Sequence, residues 1–204
     1  MRSRIINILK VVAFVSILIS SLSTKVNAFS PKTFEAEFEQ TRKSSLGKIR
    51  KTKGKLLYMY PSHIKLESPE VTTVVNPQKT YFYQAPPIEG EPGELIISST
   101  KDNFLIQAFD GLRKGLKSNK LYKVKKNKNS VELNFSKDYA KKVDLKSLVL
   151  TFKGSVNFKN LKSIIVVNLK NKKIEKSIKN LNENLKLSSS DFKFKAPENT
   201  RVSQ

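Results

Sequence analysis

The sequence predicts a mainly β protein built on an antiparallel sheet. Apolar and polar residues alternate with period two in short runs between Phe34 and Lys195, and Pro, Gly and Asn turns separate those runs. One stretch alone, Phe104 to Leu112, keeps helical spacing. Together these patterns give about ten to twelve strands and one helix, with no repeat and no internal domain boundary.

The N-terminus reads differently. Arg2, Arg4 and Lys10 precede an apolar run from Val11 to Leu22, and Val26-Asn27-Ala28 closes it in the manner of a cleavage site. This is the pattern of a secretory signal peptide, too short in its apolar part to span a bilayer comfortably. Cleavage after Ala28 leaves one domain, residues 29–204. No Cys occurs, so the chain forms no disulfide and carries no lipid on a cysteine. An exported, cysteine-free domain fits a bacterial periplasm, where a core alone must hold the fold.

The first run, Phe34-Glu35-Ala36-Glu37-Phe38-Glu39, places Phe34, Ala36 and Phe38 on one face of a strand; a helix competes, because Phe34 and Phe38 are also four apart. Next come Lys55 to Tyr60 after Gly54, with Leu56, Tyr58 and Tyr60 inward, and a turn at Pro61-Ser62. In the following strand Ile64 and Leu66 point inward, opposite His63, Lys65 and Glu67. Val71–Val75 and Thr80–Gln84 form a pair joined at Asn76-Pro77. Thr80 and Gln84 share one face, which makes Tyr81 and Tyr83 the inward pair, although Phe82 renders the other face apolar too.

Ala85 to Gly93 holds three prolines and two glycines and is a loop. Leu95–Ile97 is a short strand, and Ser99 with Asp102 resembles a capping box ahead of the helix bearing Phe104, Leu105, Ala108, Phe109 and Leu112. Gly111 or Gly115 ends that helix. Further strands are expected at Leu121–Val124, Val131–Phe135, Leu148–Phe152, Ile164–Leu169, Leu185–Leu187 and Phe192–Lys195.

Charge narrows the choice of partner. The chain carries a net +22, and +18 remains without the first 28 residues. Export removes the usual nucleic-acid partners, and the cations are mostly Lys, not the Arg that reads bases and phosphates bidentately. Two readings stay open: attraction to anionic membranes or acidic proteins, and a Lys-rich composition that simply solvates the surface.

Enzyme chemistry finds little support. His63 is the one histidine, and it falls on the face expected to meet solvent. Glu89, Glu91 and Glu94 sit in a Pro/Gly loop and read as a solvated acidic surface, and no phosphate-cradling glycine motif is present. No catalytic residue, metal site or cofactor is expected.

Four segments, in this order and spacing, resemble the LolA family of periplasmic outer-membrane lipoprotein carriers: Phe34-Glu35-Ala36-Glu37-Phe38-Glu39-Gln40, Gly54-Lys55-Leu56-Leu57-Tyr58 running into Pro61, Tyr81-Phe82-Tyr83 with Pro86, and Phe192-Lys193-Phe194-Lys195-Ala196-Pro197. The resemblance implies an incomplete β-barrel, a strongly curved antiparallel sheet whose apolar concave face is covered by lid helices. It also implies a cargo of lipoprotein acyl chains, received from an inner-membrane ABC exporter and delivered to an outer-membrane receptor, and a monomeric carrier.

On that basis the acyl-chain cavity is expected from Phe34, Phe38, Leu56, Tyr58, Tyr60, Ile64, Leu66, Tyr81 and Tyr83. The lid is expected from Phe104, Leu105, Ala108, Phe109 and Leu112, and partner docking from Lys120, Lys123, Lys125 and Lys126. Two departures stand out. The family commonly has Arg where Tyr60 precedes Pro61, and an N-terminal lid helix for which cleavage after Ala28 leaves only Phe29 to Thr33. Two alternatives accompany the lipoprotein reading: a periplasmic carrier of another lipid or glycolipid, and an envelope protein-binding module whose apolar face is a filled core.

Overall fold

The computed structural model describes residues 28–43, 49–101 and 103–203. Residues 1–27 of the expected leader and Asp102 lie outside them.

The alternating segments pair into one open, curved sheet of twelve strands: β1 (Thr33–Lys43), β2 (Ile49–Met59), β3 (His63–Glu67), β4 (Val71–Val75), β5 (Lys79–Gln84), β6 (Gly93–Ser99), β7 (Tyr122–Lys126), β8 (Ser130–Phe135), β9 (Leu145–Phe152), β10 (Leu161–Asn168), β11 (Lys173–Glu183) and β12 (Thr200–Ser203). Their order across the sheet is β12-β6-β5-β4-β3-β2-β1-β11-β10-β9-β8-β7. Every neighbouring pair is antiparallel except β12 with β6. The two sheet edges, β12 and β7, do not join, so the barrel is incomplete. The strand reading of Phe34 to Phe38 holds, with Phe34 opposite Tyr58 and Phe38 opposite Gly54.

Helix α1 (Phe104–Arg113) lies against the inner face. Its cap is Asn103, whose side chain accepts from the amides of Leu105 and Ile106 at 3.0 and 3.4 Å; Ser99, expected to open a capping box, ends β6 instead. The helix runs through Gly111, where the Tyr122 hydroxyl occupies the space a side chain would need, so this glycine serves packing and not termination. It ends at Arg113, and Gly115, at φ +99°, turns the chain away. A second helix, α2 (Lys137–Val143), links β8 to β9 where the sequence pattern predicts none. Only Ala140 in it is buried, so it carries no apolar stripe.

Two apolar layers result. The inner layer joins Phe34, Ala36, Phe38, Leu56, Tyr58 and Ile64 to α1 and to the far wing of β8, β9 and β10. The outer layer is smaller: Leu57, Val74 and Phe192, with Met59, Tyr81, Leu187 and Phe194 around them. The segment after β11 makes that second layer. Leu185–Leu187 and Phe192–Lys195, expected as strands, pair with nothing; a 3-10 turn at Ser189–Phe192 and extended chain carry their apolar residues across the back of the sheet.

Candidate functional site

The inner face divides into two rows of cross-strand neighbours. The first, Phe34, Tyr58, Ile64 and Val75, is wholly buried under α1. Phe34 and Tyr58 rings lie 5.2 Å apart, and Phe109 reaches both at 5.9 and 5.6 Å. Ala108, Phe109 and Leu112 are buried there and Leu105 packs beside them, while Phe104 is half-buried and outside the cluster. Ile106 also faces the core, although it lies off the 104–108–112 line.

A polar clasp fastens α1 to the sheet. Tyr58 donates its hydroxyl hydrogen to Asp110 Oδ1 at 2.8 Å, and the backbone amide and hydroxyl of Ser62 donate to Oδ2 at 3.2 and 3.3 Å. Arg113 Nη1 donates to the Ser30 carbonyl at 3.2 Å. Burial, then the hydrogen bond and negative charge of Asp110, hold the Tyr58 hydroxyl protonated far above the ordinary tyrosine range. Tyr60 is half-buried against the inner core and makes no part of this clasp.

The second row runs Ala36, Leu56, Leu66, Thr73, Phe82, Ile96 from the sheet centre to β6. Exposure rises along it. Ala36 and Leu56 are buried, Leu66 is half-buried, and Phe82 and Ile96 are 37% and 48% exposed. The row thus ends in two partly exposed large apolar side chains, with Thr73 its one polar member. Beyond this row Phe38 lies over Gly54, whose missing side chain makes room for the ring. Lys176 Nζ sits 4.1 Å from the Phe38 ring centroid and donates to Gln40 Oε1 at 2.8 Å.

Tyr81 and Tyr83 are not on this face, contrary to expectation. Each ring packs 5.8 Å from Phe194 on the outer side. Three consecutive aromatics give β5 two apolar faces, and the C-terminal segment takes the one bearing the tyrosines. Phe82 is consequently the inner-face residue.

His63 also differs from its expected exposure. It points outward but is covered by Phe192, with ring centres 5.1 Å apart, and its Nδ1 donates to the Pro61 carbonyl at 2.6 Å. Glu89, Glu91 and Glu94 stay exposed in and after their loop. Among the described residues no cluster of His, Asp and Glu has metal-holding geometry. Lys123, Lys125 and Lys126 are exposed on edge strand β7, with Lys120 just before it; lysine at an open edge opposes pairing with another chain. A groove of about 690 Å³ crosses β11, β1, β2 and β3, where Glu37, Glu39, Lys53, Lys55, Glu67 and Lys179 surround Phe38, Gly54 and Pro69, so charged side chains of both signs rim an apolar floor.

Residues 30–195 match the family model described as "Outer membrane lipoprotein carrier protein LolA". Comparison with curated proteins finds no match. Among solved structures the chain is similar to an uncharacterized conserved protein from Thermus thermophilus, with 9% identity, a TM-score of 0.47 and coverage of 92% of this chain and 98% of that one. It is also similar to an outer membrane lipoprotein-sorting protein domain from Vibrio parahaemolyticus, with 13% identity, a TM-score of 0.34 and coverage of 81% and 90%.

Proposed function

The chain belongs to the LolA family of outer membrane lipoprotein carrier proteins, and from that premise we propose that it carries the acyl chains of lipoproteins on its inner sheet face, through the periplasm, from an inner-membrane exporter to the outer membrane. The observation that carries this reading is the second inner-face row, which leads from buried Ala36 and Leu56 out to exposed Phe82 and Ile96. Phe82 and Ile96 are cross-strand neighbours on the same inner face, so their exposed surfaces adjoin one another. An acyl chain laid along the row covers them, and each methylene removed from water contributes about 0.8 kcal/mol.

The first row offers further apolar surface, but α1 covers it. Deeper binding requires α1 to leave the first row, and the clasp at Asp110 is the contact that must open. Binding is then an exchange: acyl chains replace Ile106, Phe109 and Leu112 against Phe34, Tyr58 and Ile64. Similar apolar contacts are made in both states, so the exchange is close to balanced and the cargo is releasable. No bond is made or broken, and no side chain is asked to do chemistry.

The test is uptake of a fluorescent acyl probe, with native mass spectrometry of the protein recovered from the cell envelope. A co-purifying triacylated lipoprotein supports the full reading, and a phospholipid or glycolipid keeps the carrier but changes its cargo. Phe82→Ser with Ile96→Ser is expected to weaken probe binding about tenfold and to cost about 1–3 kcal/mol of stability, because each side chain is only partly exposed, so uptake is compared where circular dichroism shows both proteins folded. No uptake by wild type points to a filled core and removes the carrier reading, whereas unchanged probe binding in the variant removes the second row as the acyl site.

A further inference from the structure

The charge of this chain is placed unevenly over the sheet. Residues 29–112, which build β1 to β6 and nearly all of α1, contain 11 Lys and Arg against 10 Asp and Glu. Residues 113–195, which build β7 to β11 and the outer strap, contain 23 against 6, and all but one of the 23 are Lys. The ion pairs Arg50–Glu70, Lys51–Glu39, Lys55–Glu35 and Lys65–Glu67 lie on the first wing. Acidic residues there neutralise their neighbours, and the second wing has too few to do the same.

On the basic wing one place combines charge with exposed apolar surface. The turn between β10 and β11 reads Leu169-Lys170-Asn171-Lys172-Lys173-Ile174. Leu169 and Ile174 are 43% and 41% exposed, and the three lysines between them are exposed as well. The turn is well braced. Asn168 Oδ1 accepts from the Lys172 amide at 2.8 Å, the Asn171 amide donates to the Asn168 carbonyl at 3.0 Å, and Lys146 Nζ reaches Asn171 Oδ1 at 2.8 Å from the start of β9. Strand register fixes where this turn sits. Gln40, near the end of β1, pairs with Lys176, whereas Phe34, near its start, pairs with Tyr58 close to the α1 clasp. The turn is therefore at the end of the sheet opposite the clasp. Helix α2 also joins β8 to β9 at this end and brings exposed Lys137 and Lys141; the local acids are Asp138, Asp144 and Glu175, which directly follows Ile174.

We infer that the β10–β11 turn is a docking point for the surface of an anionic phospholipid bilayer, with Leu169 and Ile174 entering the interface and Lys170, Lys172 and Lys173 among the headgroup phosphates. Apolar residues flanked by lysines match a membrane surface in both of its layers, because the alkyl stems share the apolar zone while the ammonium groups reach outward to phosphate. Lysine suits this role: it is a point charge that needs no fixed partner geometry, unlike the bidentate Arg sites of shaped protein interfaces. Docked this way, the end of the inner face bearing Phe38 and Lys176 lies next to the bilayer. The inference goes beyond the carrier reading and stands without it.

Flotation with vesicles tests it, using protein recovered from the cell envelope with its N-terminus fixed by intact mass. Wild type is expected to float with phosphatidylglycerol in phosphatidylcholine, to ignore phosphatidylcholine alone, and to release as salt rises. Lys170→Glu with Lys172→Glu is expected to weaken flotation at least about tenfold, and Leu169→Ser to weaken it less. Both variants should keep the wild-type circular dichroism and acyl-probe uptake, whereas Phe82→Ser with Ile96→Ser should still float. The inference is overturned if wild type ignores anionic vesicles but binds polyglutamate, which identifies an acidic protein as the partner. It is equally overturned if the turn variants float like wild type, or if only Lys123→Glu with Lys125→Glu abolishes flotation, which moves the surface to edge strand β7.

Discussion

The Tyr58 hydroxyl donates to Asp110 across 2.8 Å and so ties the centre of the sheet to the exposed side of the helix that covers it. Three donors, one from strand β2 and two from the β2–β3 turn, converge on that one carboxylate. The apolar side of α1 makes the cover fit; the clasp decides how readily it lifts.

Asp110→Ala should therefore loosen α1 without unfolding the sheet. Hydrogen bonds to a charged group contribute about 1.5–3 kcal/mol, so local opening of residues 104–113 should become roughly tenfold to a hundredfold more frequent. Amide hydrogen exchange reads this directly, and the acyl probe should enter faster. Unchanged exchange in α1 would show that apolar packing alone holds the cover.

Alkaline pH offers a second probe of the same contact. Burial raises the pKa of Tyr58 and Tyr122, and the Asp110 hydrogen bond raises that of Tyr58 further. The folded chain keeps these protons after the unfolded chain has lost them, so stability is full below about pH 10 and falls above it, by up to about 1.4 kcal/mol per pH unit per tyrosine. Tyr58→Phe should flatten that fall in urea titrations run on either side of pH ~10. A slope identical to wild type would remove Tyr58 as its source.

Much of this arrangement is legible in the residues, and the illegible parts have identifiable causes. Strands β1 to β3 bury one face against α1, so their alternation is clean. Strand β11 hides because Lys, Glu and Asn occupy most of its length and only Ile178 is buried. The facing of Tyr81, Phe82 and Tyr83 depends on Phe194, more than a hundred residues away, and no local pattern contains that information. The same strap covers His63, which alternation correctly turns outward but cannot show to be covered. Asp110 looks like the polar side of an amphipathic helix, and only the close approach of Ser62 and Tyr58 reveals it as a clasp.

Gly54 is a place where glycine is required by a close approach and not by its backbone angles. A Cβ there would run into the Phe38 ring and the Glu67 carbonyl. Gly54→Val should force Phe38 out of the inner layer and cost about 1–3 kcal/mol, as overpacked cores do. The urea midpoint measures it, and the double variant Phe38→Ala with Gly54→Val should recover part of the loss. Strictly additive losses would indicate that the ring and the glycine do not compete for the same space.

Phe192 anchors the strap over the outer layer: it is fully buried against Leu57 and Val74 and stacks edge-on to His63. Truncation to Ala should cost about 3–5 kcal/mol, the usual range for a buried aromatic. Phe194 is half-buried and touches Tyr81 and Tyr83, so Phe194→Ala should cost less. Limited proteolysis separates two ways in which this loss can appear. If the strap is an independent clamp, Phe192→Ala should expose residues 185–197 to cleavage while the sheet stays resistant. Sheet and strap cut together would mean that the outer layer unfolds as one unit with the inner, and that the sheet depends on Phe192 as much as on the residues beneath α1.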